Sequence, residues 1–453
     1  MIAPAPAGPG TTAVEAAERI RDGRLTSEEL IAACLDHIEH TDAGGRGWAG
    51  LDRDGALDRA REMDALRRHG RPLGALHGVP IAIDERFGGD GGGPTDGGRN
   101  APPTADPPAG RAAVVERARE AGAVVIGAVR TVEALLGQPD PALHPRDEQR
   151  TAGVPCGHAA AAVSTGQVPL TVTCEAQGGV IASASYCGVF GFRPARGVIS
   201  RRGAVPLSPT IDQVGILGRT LADVAHLADA LGGYDAADTA SWLRPRPRMR
   251  EGVMATPPME PDFLRFDMPC DDRLSTAGRA GFEELCEHLG ARVTRFPAPA
   301  WFGRLPAAHR IIVESEAAAW RRGRPEHAGA GPARRAGPAD RGVAGEDRYP
   351  AALATMERAQ RYFSELFHDY DAVIAPAASG EAPAPRSEGE KGDRVFSSIW
   401  TLCGLPVLCV PLLEGESGMP IGVQVIGDPG RDDRLLRTTR WMLERIARDA
   451  ESP

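Results

Sequence analysis

Helical patterns and short apolar runs alternate along this chain, and the alternation limits the folds that it can form. Leu76–Ile83 is an apolar run of the length of a buried strand. Arg111–Ala121 then has the apolar spacing of a helix, and Ala123–Ile126 is a second strand candidate. Strands that alternate with helices are typical of parallel α/β layers. The sequence therefore predicts an α/β protein.

Capping signals mark the first two helices. Thr12 and Glu15 form one capping-box pattern, and Thr26 and Glu29 form another. A third helix is predicted over about Ala56–Arg68. Later candidates are strands at 372–374, 407–410 and 421–426 and a last amphipathic helix at about Asp433–Ala447.

Composition excludes several classes of function. The net charge of −9 disfavours a nucleic-acid or anionic-membrane partner. No apolar stretch approaches the roughly 20 residues that a membrane helix needs, and the first residues lack the pattern of a secretory signal. The 8 cysteines form no CxxC pair and no zinc-like spacing with histidine, which favours reduced thiols in a cytoplasmic protein without a metal or cofactor.

Several motifs occur in an order that resembles one known family, the amidase signature family. They cover nearly the whole chain: Leu76–Ile83, Gly93–Thr95, Glu120–Gly127 with Glu133, Gly166–Leu170, Cys187–Pro194, Ile211–Asp212 with Gly215 and Arg219, Tyr370–Pro376, Gly404–Pro406 and Pro420–Gly427. The resemblance implies the family fold, which is one α/β domain with a mixed, twisted central sheet covered by helices on both faces.

The resemblance also implies a domain organisation. We expect a flexible N-terminus over residues 1–10 and a single amidase-signature-like domain over 11–453, with N-terminal helices at about 11–68. Two segments rich in Gly, Pro and polar residues, at about 321–348 and 378–394, are expected to be mobile loops. A small-molecule substrate is expected, and a homodimer or a partner enzyme is possible because family members often assemble.

In that family a serine attacks an amide or ester carbonyl, and a second serine on a cis peptide and a lysine base relay its proton. A hydroxyl is inert at neutral pH until a base takes its proton. By position in the motifs, the lysine corresponds to Asp84, the relay serine to Pro155 and the nucleophile to Gly179. The only lysine of the chain, Lys391, lies in a polar loop. Loss of a triad costs about 10⁶-fold in rate, so acyl-enzyme chemistry is expected to be absent.

Proline at position 155 has a structural consequence. A cis peptide costs about 3–4 kcal/mol before an ordinary residue and only about 0.5–1 kcal/mol before proline. Proline can therefore keep the turn of the family while it removes the hydroxyl, and we predict a cis Val154–Pro155 bond.

Polar residues occupy segments that line the pocket of the family. One hypothesis is an acid/base site made of His158 with Asp84 or Glu175, since a histidine beside carboxylates titrates near neutral pH. In the alternative, His158 only fills the cavity and Asp84 pairs with an arginine. Glu85 is expected to brace the substrate pocket by hydrogen bonds. Pro155, Gly178 and Gly179 are also predicted to line it, the two glycines with backbone N–H groups directed at the substrate.

Other candidates are weaker. Cys156 is a possible nucleophile, although a buried cysteine is usually inert packing. Ser183 or Ser185 could present a hydroxyl after the lost nucleophile. A metal site at positions 84, 156, 158 and 175 stays open, although their spacing gives it no support. Gly88–Gly93 lacks the Lys-Ser/Thr of a phosphate loop and is interpreted as a flexible loop over the pocket.

These residues lead to three alternative functions. The first is a non-hydrolytic acid/base catalyst that performs a cyclisation, elimination or isomerisation on a small molecule, with specialised metabolism as one setting. The second is a catalytically inactive binding or scaffold subunit. The third is an atypical amide hydrolase that uses Cys156.

Overall fold

The computed structural model describes residues 10–42, 45–87, 112–131, 142–322, 348–385 and 394–450. The predictions for residues 1–9, for Gly88–Gly93 and for the central parts of the two long loops lie outside these ranges. The helices are α1 Ala13–Arg21, α2 Ser27–Thr41, α3 Arg53–Arg68, α4 Ala113–Glu120, α5 Gly157–Ser164, α6 Gly179–Cys187, α7 Leu221–Leu231, α8 Met249–Met254, α9 Thr276–Leu289, α10 Leu305–Arg322, α11 Arg348–Leu366, α12 Arg394–Cys403 and α13 Asp432–Ala450.

The strands follow the predicted apolar runs. They are β1 Trp48–Leu51, β2 Pro80–Asp84, β3 Val124–Val129, β4 Leu143–His144, β5 Asp147–Thr151, β6 Leu170–Glu175, β7 Phe190–Arg193, β8 Gln213–Gly218, β9 Phe263–Asp267, β10 Val293–Pro297, β11 Ala372–Pro376, β12 Val407–Glu414 and β13 Pro420–Ile426. The predicted strand at 76–83 begins later, because Gly78 adopts a left-handed φ of +75° before the extended segment starts.

One large mixed sheet organises the fold. Its 11 strands run in the order β1-β3-β2-β6-β8-β7-β12-β13-β11-β9-β10. The neighbours β3, β2 and β6 are parallel, as are β11, β9 and β10, and the strands between these groups pair antiparallel. The expected mixed central sheet is confirmed.

The N-terminal helices form where their caps predict them. The Thr26 hydroxyl accepts from the Glu29 backbone N–H, and the Glu29 carboxylate accepts from the Thr26 backbone N–H, which completes the capping box. Buried Asp64 of α3 accepts from the first amides of α2, those of Ser27 at 2.8 Å and Glu28 at 3.1 Å. An acidic side chain stabilises a helix N-terminus because it satisfies unpaired N–H groups. This contact fixes α2 against α3.

An aromatic cluster fills the core beside the β9 side of the sheet. Phe363 of α11 lies 5.4 Å from Trp400 of α12 and 5.6 Å from Phe302, measured between ring centroids. Phe266 of β9 lies 5.2 Å from Phe302. All four side chains are buried. Aromatic rings that pack edge-on at such distances stabilise a core beyond the apolar area that they bury.

Within the described ranges, no helix combines the length and the apolar character needed to cross a bilayer.

Phe363→Ala is expected to destabilise the protein by about 3–5 kcal/mol, because it removes a fully buried ring and leaves a cavity in this cluster. The matched control is Phe296→Ala, since Phe296 is 49% exposed and its loss should change the free energy of unfolding by no more than about 0.5 kcal/mol. Denaturant unfolding followed by circular dichroism measures both. Equal unfolding midpoints for the two variants would contradict the packing described here.

Candidate functional site

Two parallel neighbouring strands carry the predicted carboxylates to one edge of the sheet. Asp84 ends β2 and Glu175 ends β6, and the strands pair in the register Ile81↔Leu170. Ligands bind at the carboxyl ends of parallel strands in open α/β sheets. The backbone N–H of Cys174 donates to Asp84 Oδ2 at 3.3 Å, so the two strand ends are joined directly. The candidate site is built on this edge.

Asp84 is fully buried and held by three donors. Its Oδ1 accepts from the Arg86 backbone N–H at 2.8 Å and from the Thr131 hydroxyl, and Oδ2 accepts from Cys174. Burial raises the pKa of Asp84, and the nearby Arg86 guanidinium opposes that shift. The expectation that Asp84 pairs with an arginine therefore has a specific candidate partner in Arg86.

Glu85 follows Asp84 in a short 3₁₀ turn, Glu85–Phe87. Its Oε1 accepts from the Thr131 backbone N–H at 2.8 Å. Burial raises the pKa of Glu85 to about 7, the Thr131 hydrogen bond opposes the shift, and the negative charge of Asp84 adds to it. Thr131 thus bridges both carboxylates. A carboxyl group with a pKa near neutrality is suited to proton transfer at physiological pH.

Glu175 forms a completely buried ion pair. Its Oε1 lies 3.1 Å from Arg193 Nη1, which also donates to the Thr401 hydroxyl, and both charged side chains are 0% exposed. Its Oε2 accepts from the backbone N–H groups of the turn before α6: Gln177 at 2.8 Å, Gly179 at 3.0 Å, and Gly178. The backbone N–H groups of Gly178 and Gly179, which we predicted to face a substrate, therefore donate to Glu175 instead.

Gly178 and Gly179 begin α6 because no side chain fits there. Gly178 has φ of +81°, and a Cβ on it would lie 2.0 Å from Ser397 Oγ. A Cβ on Gly179 would lie 2.1 Å from Pro155 Cδ. The predicted cis Val154–Pro155 bond is confirmed. Positions 155 and 179 are therefore in contact, and proline at one requires glycine at the other.

Cys156 is placed as packing rather than as a nucleophile. It precedes α5, is 2% exposed, and its Sγ lies 3.6 Å from the Thr173 hydroxyl. Burial, together with the negative charges of Glu175 and Asp84, raises the pKa of Cys156 well above its usual value. The thiolate is the reactive form, so Cys156 is protonated and inert at neutral pH. Cys174 and Cys187 are buried too, and burial raises the pKa of each to about 12.

The described contacts of Asp84 and Glu175 do not include His158, and its predicted pairing with either carboxylate stays a prediction that these contacts do not support. The hydrogen bonds and ion pairs of both carboxylates go to other groups, and His158 lies half-buried beside Gly47, where Nδ1 is 3.8 Å from the Cβ position of that glycine. The physical reason is helix geometry. His158 is two residues beyond Cys156, and side chains at that spacing project from different faces of a helix.

The structure also places the residues of the two other open alternatives, a metal site and a serine. In the ranges that the structure describes, no three His, Cys, Asp or Glu side chains lie close enough together to hold a metal ion. The Ser185 hydroxyl accepts from the Gly422 backbone N–H at 2.7 Å, which is a structural role. Ser183 is fully buried inside α6, with its Oγ against Gly153.

Sequence reasoning missed Thr131, Arg86 and Arg193 at this site. Arg193 lies inside the motif Cys187–Pro194, at the end of a strand. A buried cation needs a carboxylate partner, and this rule could have paired Arg193 with Glu175. Nothing in the sequence marks Thr131, since its contacts to Asp84 and Glu85 depend on the pairing of β2 with β3.

Gly179→Ser alone is expected to destabilise the protein by about 1–3 kcal/mol, because its Cβ would overlap Pro155 Cδ. Gly303→Ser is the control, since a Cβ there meets nothing within 4 Å. Thermal unfolding of the two variants measures the effect. If Gly179→Ser were as stable as Gly303→Ser, the contact between positions 155 and 179 would be disproved.

Arg193→Met should cost about 3–5 kcal/mol, because it leaves the Glu175 carboxylate buried without a cation. The double variant Arg193→Met with Glu175→Gln should be more stable than Arg193→Met alone. Arg440→Met, which breaks the exposed Arg440–Glu444 pair, serves as the matched control and should cost no more than about 1 kcal/mol. Denaturant unfolding of the double-mutant cycle gives the coupling energy, and a coupling near zero would contradict this account.

Known proteins resemble the chain over almost its full length. A glutamyl-tRNA(Gln) amidotransferase subunit from Chloroflexus aurantiacus is 30% identical, with 96% of this chain and 97% of that protein covered. AtzE, a 1-carboxybiuret hydrolase subunit from a Pseudomonas species, is also 30% identical, with 94% of this chain and 96% of that protein covered.

Solved structures agree. An inhibitor-bound vestigial protein complex, described in connection with the evolutionary origins of an s-triazine catabolic enzyme, contains a chain that matches with 27% identity and a TM-score of 0.84, covering 96% of this chain and 98% of that one. A crystal structure of an amidase matches with 25% identity and a TM-score of 0.80, covering 96% of this chain and 100% of that one.

These similarities overturn the functions expected from the sequence. A non-hydrolytic catalyst and an inactive scaffold are both wrong, because the relatives are named for amide transfer and hydrolysis. They give no support to a role in specialised metabolism either. Burial, which raises the pKa of the Cys156 thiol, disfavours the hydrolase that uses Cys156, and that alternative stays a prediction. The assignment of Asp84, Pro155 and Gly179 to the triad positions stays a prediction.

A family model described as Amidase matches residues 29–322 and 331–436, most of the chain. Together with the fold and the full-length relatives, this match shows that the chain belongs to the amidase signature family.

Proposed function

We propose that this protein hydrolyses an amide bond in a small molecule. The observation that carries the proposal is its 30% identity, over 94% of the chain, to a protein named as part of a 1-carboxybiuret hydrolase. Glu85, directly after β2, provides an acid/base group at the edge of the sheet where ligands bind.

The proposed nucleophile is water. If positions 84, 155 and 179 are the triad positions, as predicted, no hydroxyl or amine there attacks a carbonyl. Glu85 is the proposed general base, because burial raises its pKa to about 7 and its Oε1 is held by Thr131. General bases act most efficiently when their pKa lies near the working pH.

The proposed reaction balances without another reagent. Glu85 takes a proton from water while the water oxygen bonds to the amide carbon, whose carbonyl electrons move onto oxygen. The tetrahedral species collapses, the C–N bond breaks, and Glu85 returns the proton to the leaving nitrogen. The products are a carboxylic acid and an amine or ammonia. Asp84 is a positioning residue that keeps the pKa of Glu85 high through its negative charge.

Two further properties belong to this proposal. The relatives named as subunits, and the structural neighbour described as a complex, support assembly with a partner chain. All 8 cysteines, each within the described residues, are free thiols, which supports the reducing cytoplasm as the compartment.

Glu85→Gln is expected to lower kcat for amide hydrolysis by about 10²–10⁴-fold. The purified full-length protein is assayed for release of ammonia or amine. The substrate panel contains primary amides and biuret-like ureas, some of which carry a carboxylate group and some of which do not. The wild-type kcat/KM should rise as the pH passes about 7, since the base must be ionised, and Glu85→Gln should lose this dependence. Glu283→Gln is the control, because Glu283 lies on α9 and pairs with Arg265 of β9, near the other edge of the sheet.

Stability and trapping experiments separate this mechanism from others. Because the pKa of Glu85 is raised, the folded chain still holds a proton in a pH range where the unfolded chain has released it. The contribution of Glu85 to stability therefore falls as the pH rises from about 4.5 to about 7. Glu85→Gln should lack this fall and remain folded at pH 8. Hydroxylamine should trap no acyl group, since water attacks directly. Absence of hydrolysis with every amide, or a trapped acyl-enzyme, would refute the proposal.

A further inference from the structure

An open groove of about 630 Å³ lies apart from the buried carboxylates. It is formed by the segment 196–210, the loop 239–242, α11 and the end of α12. Its volume falls within the roughly 300–1,000 Å³ of small-molecule sites. Asp84, Glu85 and Glu175 are not among the residues that line it.

Arg196 gives the wall of this groove a positive charge that has no ion-pair partner among the described residues. Its guanidinium donates to backbone carbonyls, that of Thr210 and that of Leu402 at 3.4 Å. The Glu316 carboxylate acts on it only from beyond ion-pair distance, and although burial lowers the pKa of Arg196 to about 10, the group stays charged at neutral pH. A half-buried charge satisfied only by neutral groups is unfavourable unless an anion completes it.

The neighbouring arginines differ from Arg196 in this respect. Arg201, which also lines the groove, lies 2.8 Å from the Asp238 carboxylate and is neutralised by it. Arg193 is neutralised by Glu175 at 3.1 Å. The charge of Arg196 is therefore available to a ligand, whereas the charges of these two are already used by the fold.

Trp242 supplies an aromatic wall in the same groove. Its backbone N–H donates to the Gly197 carbonyl at 3.2 Å, and its ring lies against the Cβ position of Gly430 at 3.1 Å, so the ring is fixed at the groove. Flat rings stack on such a surface, and a guanidinium binds a carboxylate through paired N–H groups. The exposed Arg244 guanidinium lies over this ring, 5.4 Å from its centroid, and a ligand ring would take its place there. The indole and the Arg196 guanidinium thus line one concave site.

We propose that this groove binds a small aromatic carboxylate, with the carboxylate on Arg196 and the ring on Trp242. The site is separate from the hydrolytic centre, and it stands whether or not the chain hydrolyses amides.

Benzoate is the probe, and isothermal titration calorimetry on the full-length protein is the measurement. Wild-type protein should bind benzoate and should bind neutral benzamide at least about tenfold more weakly, because a charge-assisted hydrogen bond contributes roughly that factor or more. Arg196→Met should weaken benzoate at least about tenfold, and Trp242→Ala should also weaken it. Arg358→Met is the matched control, since Arg358 lies on α11 but stacks on Trp301 outside the groove, and it should bind as wild type does.

The results that overturn the inference are equally specific. Failure of the wild-type protein to bind benzoate, equal affinity for benzamide, or unchanged binding by Arg196→Met would each do so. Arg196→Lys keeps the charge and should retain part of the affinity, which separates loss of the anion contact from a general disturbance. Thermal unfolding of each variant confirms that the titrated protein is folded.

Discussion

The buried contact between Glu175 and Arg193 fixes the geometry on which the candidate site depends. One carboxylate oxygen takes the guanidinium of Arg193, and the other takes the N–H groups of the turn that begins α6. Neither side chain touches solvent. A charge in such a place is tolerated only when a partner and several hydrogen bonds replace its water. The end of β6, the end of β7 and the start of α6 are therefore held together by one carboxylate.

Close packing at Pro155 and Gly179 adds a second constraint. The turn before α5 and the turn before α6 approach so closely that a Cβ at position 179 would overlap the proline ring. Each residue therefore explains the other. A hydroxyl cannot be introduced at 179 by one substitution while the proline remains, and this coupling is a steric property of the two turns that does not depend on the reaction.

The sequence predicts the scaffold better than the site. Apolar runs located β2, β3, β12 and β13, and the capping pattern at Thr26 located α2, because such signals are local. The cis Val154–Pro155 bond was also predictable, since proline tolerates the cis turn that the family resemblance implies at this position. The motif gives the position of His158 in the chain but not the helix face from which it projects, so its partner could not be predicted from the sequence. Thr131 was missed because its contacts with Asp84 and Glu85 are made across two strands.

The charge at the end of β2 shows how the site is balanced. Asp84 is a carboxylate where the family resemblance implies a lysine, so the sign of the buried charge is opposite. A guanidinium only two residues away compensates it, since Arg86 donates through its backbone to Asp84 and through its side chain to the carbonyls of Cys174 and Val205. Arg86 also lies 3.5 Å from buried Asp212. One cation thus serves two buried acids. Burial, to which the negative charge of Asp84 adds, outweighs the Thr131 hydrogen bond and the charge of Arg130, and this balance explains why Glu85 keeps a pKa near neutrality and has the properties of a proton acceptor.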